Sequence, residues 1–183
     1  WASAVLSGQD TSEHVARLNL MAEAFVSVAG EALYADAVNA IDRATGRGPQ
    51  ALAQLAEAHA GFASASQTFA DDRYAAAQPA FVSARSTFAA AGSSFALRTA
   101  VELGAVAYAT GRNEEAIELL DASYQHASSR NYLFTAGRAA WLQGLVAFAQ
   151  APLGDAQERY EAALAAFERS NDLEQVASAH NLL

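Results

Sequence analysis

The sequence predicts an all-α protein built of stacked antiparallel helical hairpins, with no sheet. Apolar residues recur at helical spacing along the chain, and alternating strand patterns with Asn-Gly or Asp-Gly hairpin turns are absent. Glycine, proline and Asx/Ser clusters interrupt that pattern at regular points. A set of small and large residues in the second half then repeats itself forty residues further on.

The punctuation sets the helices at about 11–29, 31–45, 49–69, 72–91, 94–110, 113–128, 131–150 and 153–169, with a ninth starting near 172. Gly30 separates the first two. Gly46-Arg47-Gly48-Pro49 ends the second and opens the third, with glycine past the stop and proline just inside the start. Gly92-Ser93-Ser94 and Gly111-Arg112-Asn113 mark the next two gaps. Asn113 is placed to cap a helix, and Glu114 and Glu115 then sit at its positive end. Pro152, Gly154 and Asp155 form the later break and Ser170-Asn171-Asp172 the last. Pro79 falls inside the fourth helix, where the lost backbone donor predicts a kink.

The repeat aligns Ala100, Gly104, Val106, Ala107, Tyr108 and Ala109 with Ala140, Gly144, Val146, Ala147, Phe148 and Ala149. The register continues into the following helices, where Ala116, Leu120 and Ser123 match Ala156, Tyr160 and Ala163. Small residues at Gly104 and Gly144 let the second helix of a hairpin approach closely. Leu103, Leu120 and Tyr160 fill the space between hairpins, because one hairpin cannot bury its apolar face alone. The pattern is clear over 94–183 and degenerate over 1–93. Forty residues back, Ala60, Ala63, Ala76 and Ala80 take the small positions and Ser64 the glycine position. The first two helices pair as a hairpin by length alone. Both chain ends read as cut, so the expectation is an excised piece of a longer protein, continuous over 1–183.

The motif Leu103-Gly104-x2-Ala107…Ala116-x3-Leu120-x2-Ser123, repeated as Gln143-Gly144-x2-Ala147…Ala156-x3-Tyr160-x2-Ala163, resembles the tetratricopeptide repeat. It departs from that pattern at the opening aromatic (Ala100, Ala140), at the closing proline (Ser128, Glu168) and in its longer period. The resemblance implies a right-handed solenoid whose first helices line a concave binding face. The segments from Arg73 to Phe95, around Trp141-Leu142-Gln143-Gly144-Leu145, and from Tyr160 to Phe167 are similar to the arrays of bacterial proteins that carry a C-terminal CHAT domain, a caspase-like peptidase module. That likeness implies a downstream domain with a His–Cys dyad, which this chain, having no cysteine, does not itself contain.

Charge bounds the partners. Twenty acidic residues face eleven basic ones, all arginine, for a net charge of −9. That balance argues against nucleic acid and anionic membranes, both of which select for clustered cations. Arginine without lysine, together with abundant alanine, points to a GC-rich bacterial coding sequence. No apolar run approaches the roughly 20 residues of a membrane span, and a cytoplasmic location is expected. No nucleophile elbow, phosphate loop or metalloprotease motif is present, so no enzyme activity and no cofactor or metal are expected. His14, His59, His126 and His180 lie on separate helices and read as surface or packing residues. Glu114-Glu115 and Asp71-Asp72 read as favourable charges at helix starts.

If the first helices line the concave face, the repeat turns Arg98, Val101, Ala105, Tyr108 and Ala109 inward, with counterparts Arg138, Trp141, Leu145, Phe148 and Ala149. Arg98, Tyr108, Arg138, Trp141 and Phe148 are therefore the candidate partner-binding residues, since arginine and aromatics dominate binding hot spots. The competing reading makes the aromatics core and the arginines solvated. The family's carboxylate clamp is absent, its positions being held by Val101, Ala105, Trp141 and Leu145. The expected function is a scaffold for a protein or peptide, another domain of the same polypeptide included, regulatory to a CHAT-type peptidase. The alternative is a helical domain that senses a small molecule in an apolar cavity.

Overall fold

A computed structural model describes residues 1–150 and 153–181, the side chains of residues 153 and 154 excepted. Among the described residues there are ten helices and no strand. They are α1 (Ala2–Leu6), α2 (Ser12–Ala29), α3 (Leu33–Arg47), α4 (Pro49–Ala70), α5 (Tyr74–Ala90), α6 (Phe95–Ala109), α7 (Asn113–Ser129), α8 (Leu133–Gln150), α9 (Leu153–Arg169) and α10 (Leu173–His180). The expected all-α class and the helical hairpins are both present. Pro152, part of the expected break, and Leu182 and Leu183 lie outside the described residues.

One stop signal ends six of these helices. Two residues past each end, Gly8, Asp72, Gly92, Gly111, Asn131 and Asn171 take a left-handed backbone conformation. The N–H of the next residue then reaches back to a carbonyl in the last helical turns: Gln9 to Ala4, Arg73 to Thr68, Ser93 to Phe88, Arg112 to Ala107, Tyr132 to Ala127 and Asp172 to Phe167, at 2.8–3.1 Å. Such Schellman closures satisfy orphan carbonyls, and Gly, Asn and Asp are the residues that tolerate the turn. Gly48, with φ +103, closes α3, and Pro49 opens α4 as expected. Asn113 is the first residue of α7 and makes no side-chain cap; the N-cap is Arg112, whose guanidinium pairs with Glu115. Helix α5 is continuous through Pro79.

These stops also correct the register. Asp72 lies thirty-nine residues before Gly111, and Gly92 thirty-nine before Asn131, whereas Asn131 and Asn171 are forty apart. Carrying forty back into α4 and α5 therefore lands one residue off. Ala60, Ala63, Ser64 and Ala76 are exposed. The positions thirty-nine before Gly104, Ala116, Leu120, Ser123 and Ala127 are all buried: Ala65 on α4 and Ala77, Phe81, Ala84 and Phe88 on α5. The third hairpin gained one residue over the spacing of the first two.

The described chain divides into two compact units. One comprises Trp1–Val26 and Ala32–Thr99; the other comprises Ser27–Glu31 and the chain from Ala100 onward. In the first unit α4 packs against α1, α3 and α5. Its core joins Ile41, Leu55, Ala58, Ala84 and Phe88 to the rings of Phe62 and Phe95, with Phe62–Phe81 and Phe88–Phe95 centroids 5.6 and 5.5 Å apart. The Ser94 hydroxyl donates to the Leu33 carbonyl at 2.7 Å, and an Arg43 guanidinium N–H to the Gly92 carbonyl at 2.9 Å. Helix α2 is the lightly packed element, with Ala22 its buried residue; it meets α3 through the Phe25 and Tyr34 rings. The expected hairpin of the first two long helices is thus a loose one, and the short helix α1 was not expected at all.

In the second unit α8 packs against α7 and α9, and α9 against α10. The joints are small-against-large. A Cβ on Gly104 would stand 2.8 Å from the Leu120 side chain, one on Gly137 would stand 2.6 Å from the Phe167 ring, and one on Gly144 would overlap the Tyr160 ring. Gly104 with Leu120 and Gly144 with Tyr160 are the same joint at the forty-residue spacing. At the start of α8, the buried Glu31 carboxylate accepts the Phe134 N–H at 2.9 Å, an anion held at a helix N-terminus.

Candidate functional site

Positions i, i+3, i+7 and i+10 share a helix face, and α6 and α8 carry the expected residues on such a ridge. Their fates differ. On α6, Val101 and Ala105 are fully buried, so the expected inward surface is core there. On α8, Trp141 and Leu145 are half-buried and Phe148 is 62% exposed. Trp141 packs beside Ala140, Ala163, Phe167 and Ala179, and its indole N–H is buried with no hydrogen-bond partner among the described residues.

Arg138, at the head of that ridge, is held by Glu102. Its Nε and Nη2 donate to Oε1 and Oε2 at 2.9 and 2.8 Å, a two-pronged pair joining α8 to α6. The Glu102 carboxylate is buried (4% exposed for the residue) and the Arg138 side chain retains 24% exposure. Two of its nitrogens are therefore committed inside the protein. Tyr108 is half-buried near Tyr160, whose phenol is pushed up by burial and, secondarily, by Tyr108. Arg98 belongs to the first unit and is half-buried there; the other four candidates belong to the second.

The first unit holds a feature that was not anticipated at any specific place. A cavity of about 300 Å³ opens between α1, α2, α3, α4 and the start of α6, walled by Leu18, Met21, Phe25, Ile41 and Phe95 among others. Trp1 and His59 also line it, and both Trp1 Nε1 and His59 Nε2 are buried without a hydrogen-bond partner among the described residues. The His59 ring stands edge-on to Trp1, Phe88 and Phe95, with centroids 4.7–5.6 Å away. Burial, reinforced by the Trp1 α-ammonium, pushes His59 down to about 4 from an ordinary 6.5. No group of three metal-ligating side chains occurs among the described residues, and no helix among them is long and apolar enough to cross a membrane.

A pH dependence follows. Between about pH 6.5 and 4 the unfolded chain binds a proton at His59 that the folded chain refuses. Stability is therefore complete above the unfolded value and falls as pH drops through that window, by roughly 3 kcal/mol in all. Urea midpoints at pH 7 and 4.5 should separate less in His59→Phe than in the natural sequence. An equal separation would show that His59 is not held neutral.

No family model, no curated protein and no solved structure matches this chain. Its function is therefore argued from its own geometry.

Proposed function

We propose that this chain is a non-catalytic binding scaffold, tetratricopeptide in kind, that holds a protein or peptide against the exposed ridge of α8. The observation that carries this reading is Phe148, a large aromatic left 62% exposed on a helix whose other faces are well buried. Trp141 and Leu145 continue the same stripe. Aromatic anchors beside an arginine are the usual energetic centre of a protein contact. Arg138 fits that role as a pre-oriented group, since Glu102 fixes its side chain and less entropy is lost on contact. Tyr108 is retained in the proposed surface and Arg98 is not needed by it.

The net charge of −9 weighs against nucleic acid as the partner. The likeness to arrays preceding a caspase-like CHAT module makes another domain of the same polypeptide a candidate partner, with this array regulating a bacterial peptidase.

Crosslinking tests the ridge. A photoreactive phenylalanine analogue at position 148 should yield a discrete crosslinked protein, or an internal crosslink in the full polypeptide. The same analogue at Val82, an exposed apolar residue of α5, should not. No product at 148, or the same product from both positions, would remove the ridge from consideration.

A further inference from the structure

We propose that the cavity of the first unit is a binding site for a small, uncharged, largely apolar molecule carrying one polar group, which hydrogen-bonds to His59 or Trp1. Size comes from the volume. A dry cavity of about 150 Å³ holds one benzene ring, so about 300 Å³ suits a two-ring compound or a chain of similar bulk. Neutrality comes from the walls: none of the lining side chains is Asp, Glu or Arg, and once the Trp1 α-ammonium, the charge felt at His59, is neutralised by acetylation, an ion taken in would lose its hydration with no countercharge to replace it.

The single polar group comes from what the cavity lacks. Buried polar atoms are nearly always paired, and each exception asks for a partner. Trp1 Nε1 is a donor, and the neutral His59 ring offers either a donor or an acceptor at Nε2. A small turn of either ring would present such an atom to the cavity, where one hydroxyl, phenol or carbonyl would satisfy it. Access comes from α2. Met21 and Phe25 line the cavity, yet remain 56% and 38% exposed. The helix that carries them buries only one residue type firmly, at Ala22, so it is the wall that yields most easily. This site is independent of the α8 ridge, and its test stands whatever the ridge binds.

The purified chain, N-terminally acetylated so that Trp1 carries no charge, is titrated with 6-propionyl-2-dimethylaminonaphthalene, a neutral two-ring probe whose fluorescence rises and shifts in apolar surroundings. One saturable site is expected, displaced by 1-naphthol. The 1-naphthoate anion, of the same bulk, should displace it at least about a hundredfold less well, having no countercharge. His59→Phe keeps a ring but removes the polar partner. It should narrow the preference for 1-naphthol over naphthalene by about tenfold, the effect of one net hydrogen bond. Ala37→Phe, which projects a ring into the cavity from α3, should abolish binding with the helical circular dichroism retained. If that variant fails to fold, stoichiometry and the naphthol-to-naphthoate ratio decide alone. Non-saturable uptake, equal displacement by naphthoate, or undiminished binding in a folded Ala37→Phe would overturn the proposal.

Discussion

Glu102→Ala is expected to destabilise the second unit by about 3 kcal/mol, the low end of the range for removing one partner of a buried ion pair. The carboxylate is almost wholly buried and takes two hydrogen bonds from Arg138. Without it the guanidinium faces a dry wall with a positive charge. Arg138 keeps some contact with water, which is why the low end of the range applies. Removing both charges is a different matter. Glu102→Leu with Arg138→Met replaces the pair by apolar groups of similar volume, and such exchanges are often close to neutral. Urea unfolding followed by circular dichroism should therefore rank the single variant well below both the natural sequence and the double variant. A double variant as unstable as the single one would show that the loss comes from packing rather than from an abandoned charge.

Gly144→Ala carries the second large effect. In a helix interior alanine is normally better than glycine by about 1 kcal/mol, and at Gly61, with open space around it, Gly61→Ala should stabilise. At Gly144 the added methyl would overlap the Tyr160 ring, which is itself buried. Forcing it in costs about 1–3 kcal/mol beyond the propensity gain, or roughly 2–10 °C in melting temperature for a chain of this size. Gly104→Ala should behave alike but more mildly, because Leu120 is less rigid than a phenol ring. If Gly144→Ala stabilised as Gly61→Ala does, the close approach at the joint would be wrong.

The glycine joints were legible because their signal is local and doubled. Gly104 and Gly144 carry the same neighbours at the same spacing, and the structure makes each a close approach as expected; Leu120 and Tyr160, expected in the space between hairpins, are the side chains that fill these joints within a hairpin. The first hairpin was legible only approximately. A constant period of forty cannot reveal one residue gained between Asn131 and Asn171, and the stop signals that betray it mix Gly with Asn and Asp. Helix α1, at five residues, is too short to show a period.

The ridge was half legible. The spacing is alike on α6 and α8, yet Val101 and Ala105 are small enough to be covered, while Trp141, Leu145 and Phe148 are not. Glu102 was missed because its partner lies thirty-six residues away on another helix. The cavity was beyond local reading altogether. Its walls come from five elements contributing one to four residues each, and nothing in the spacing of Trp1, His59 and Phe95 says that they meet. The only hint was a histidine in an apolar stretch of α4, close to Leu55 and Phe62.

The repeated small-against-large joint is the premise on which the fold and the α8 surface both rest, and a double-mutant cycle at Gly144 and Tyr160 tests it most directly. Tyr160→Ala alone opens a void, Gly144→Ala alone creates an overlap, and together the new methyl occupies part of the space that the ring vacated. The combined variant should therefore lose less than the two single losses added together, with a coupling of about 1 kcal/mol or more. Losses that simply add, to within about 0.5 kcal/mol, would mean that the two residues do not share a joint.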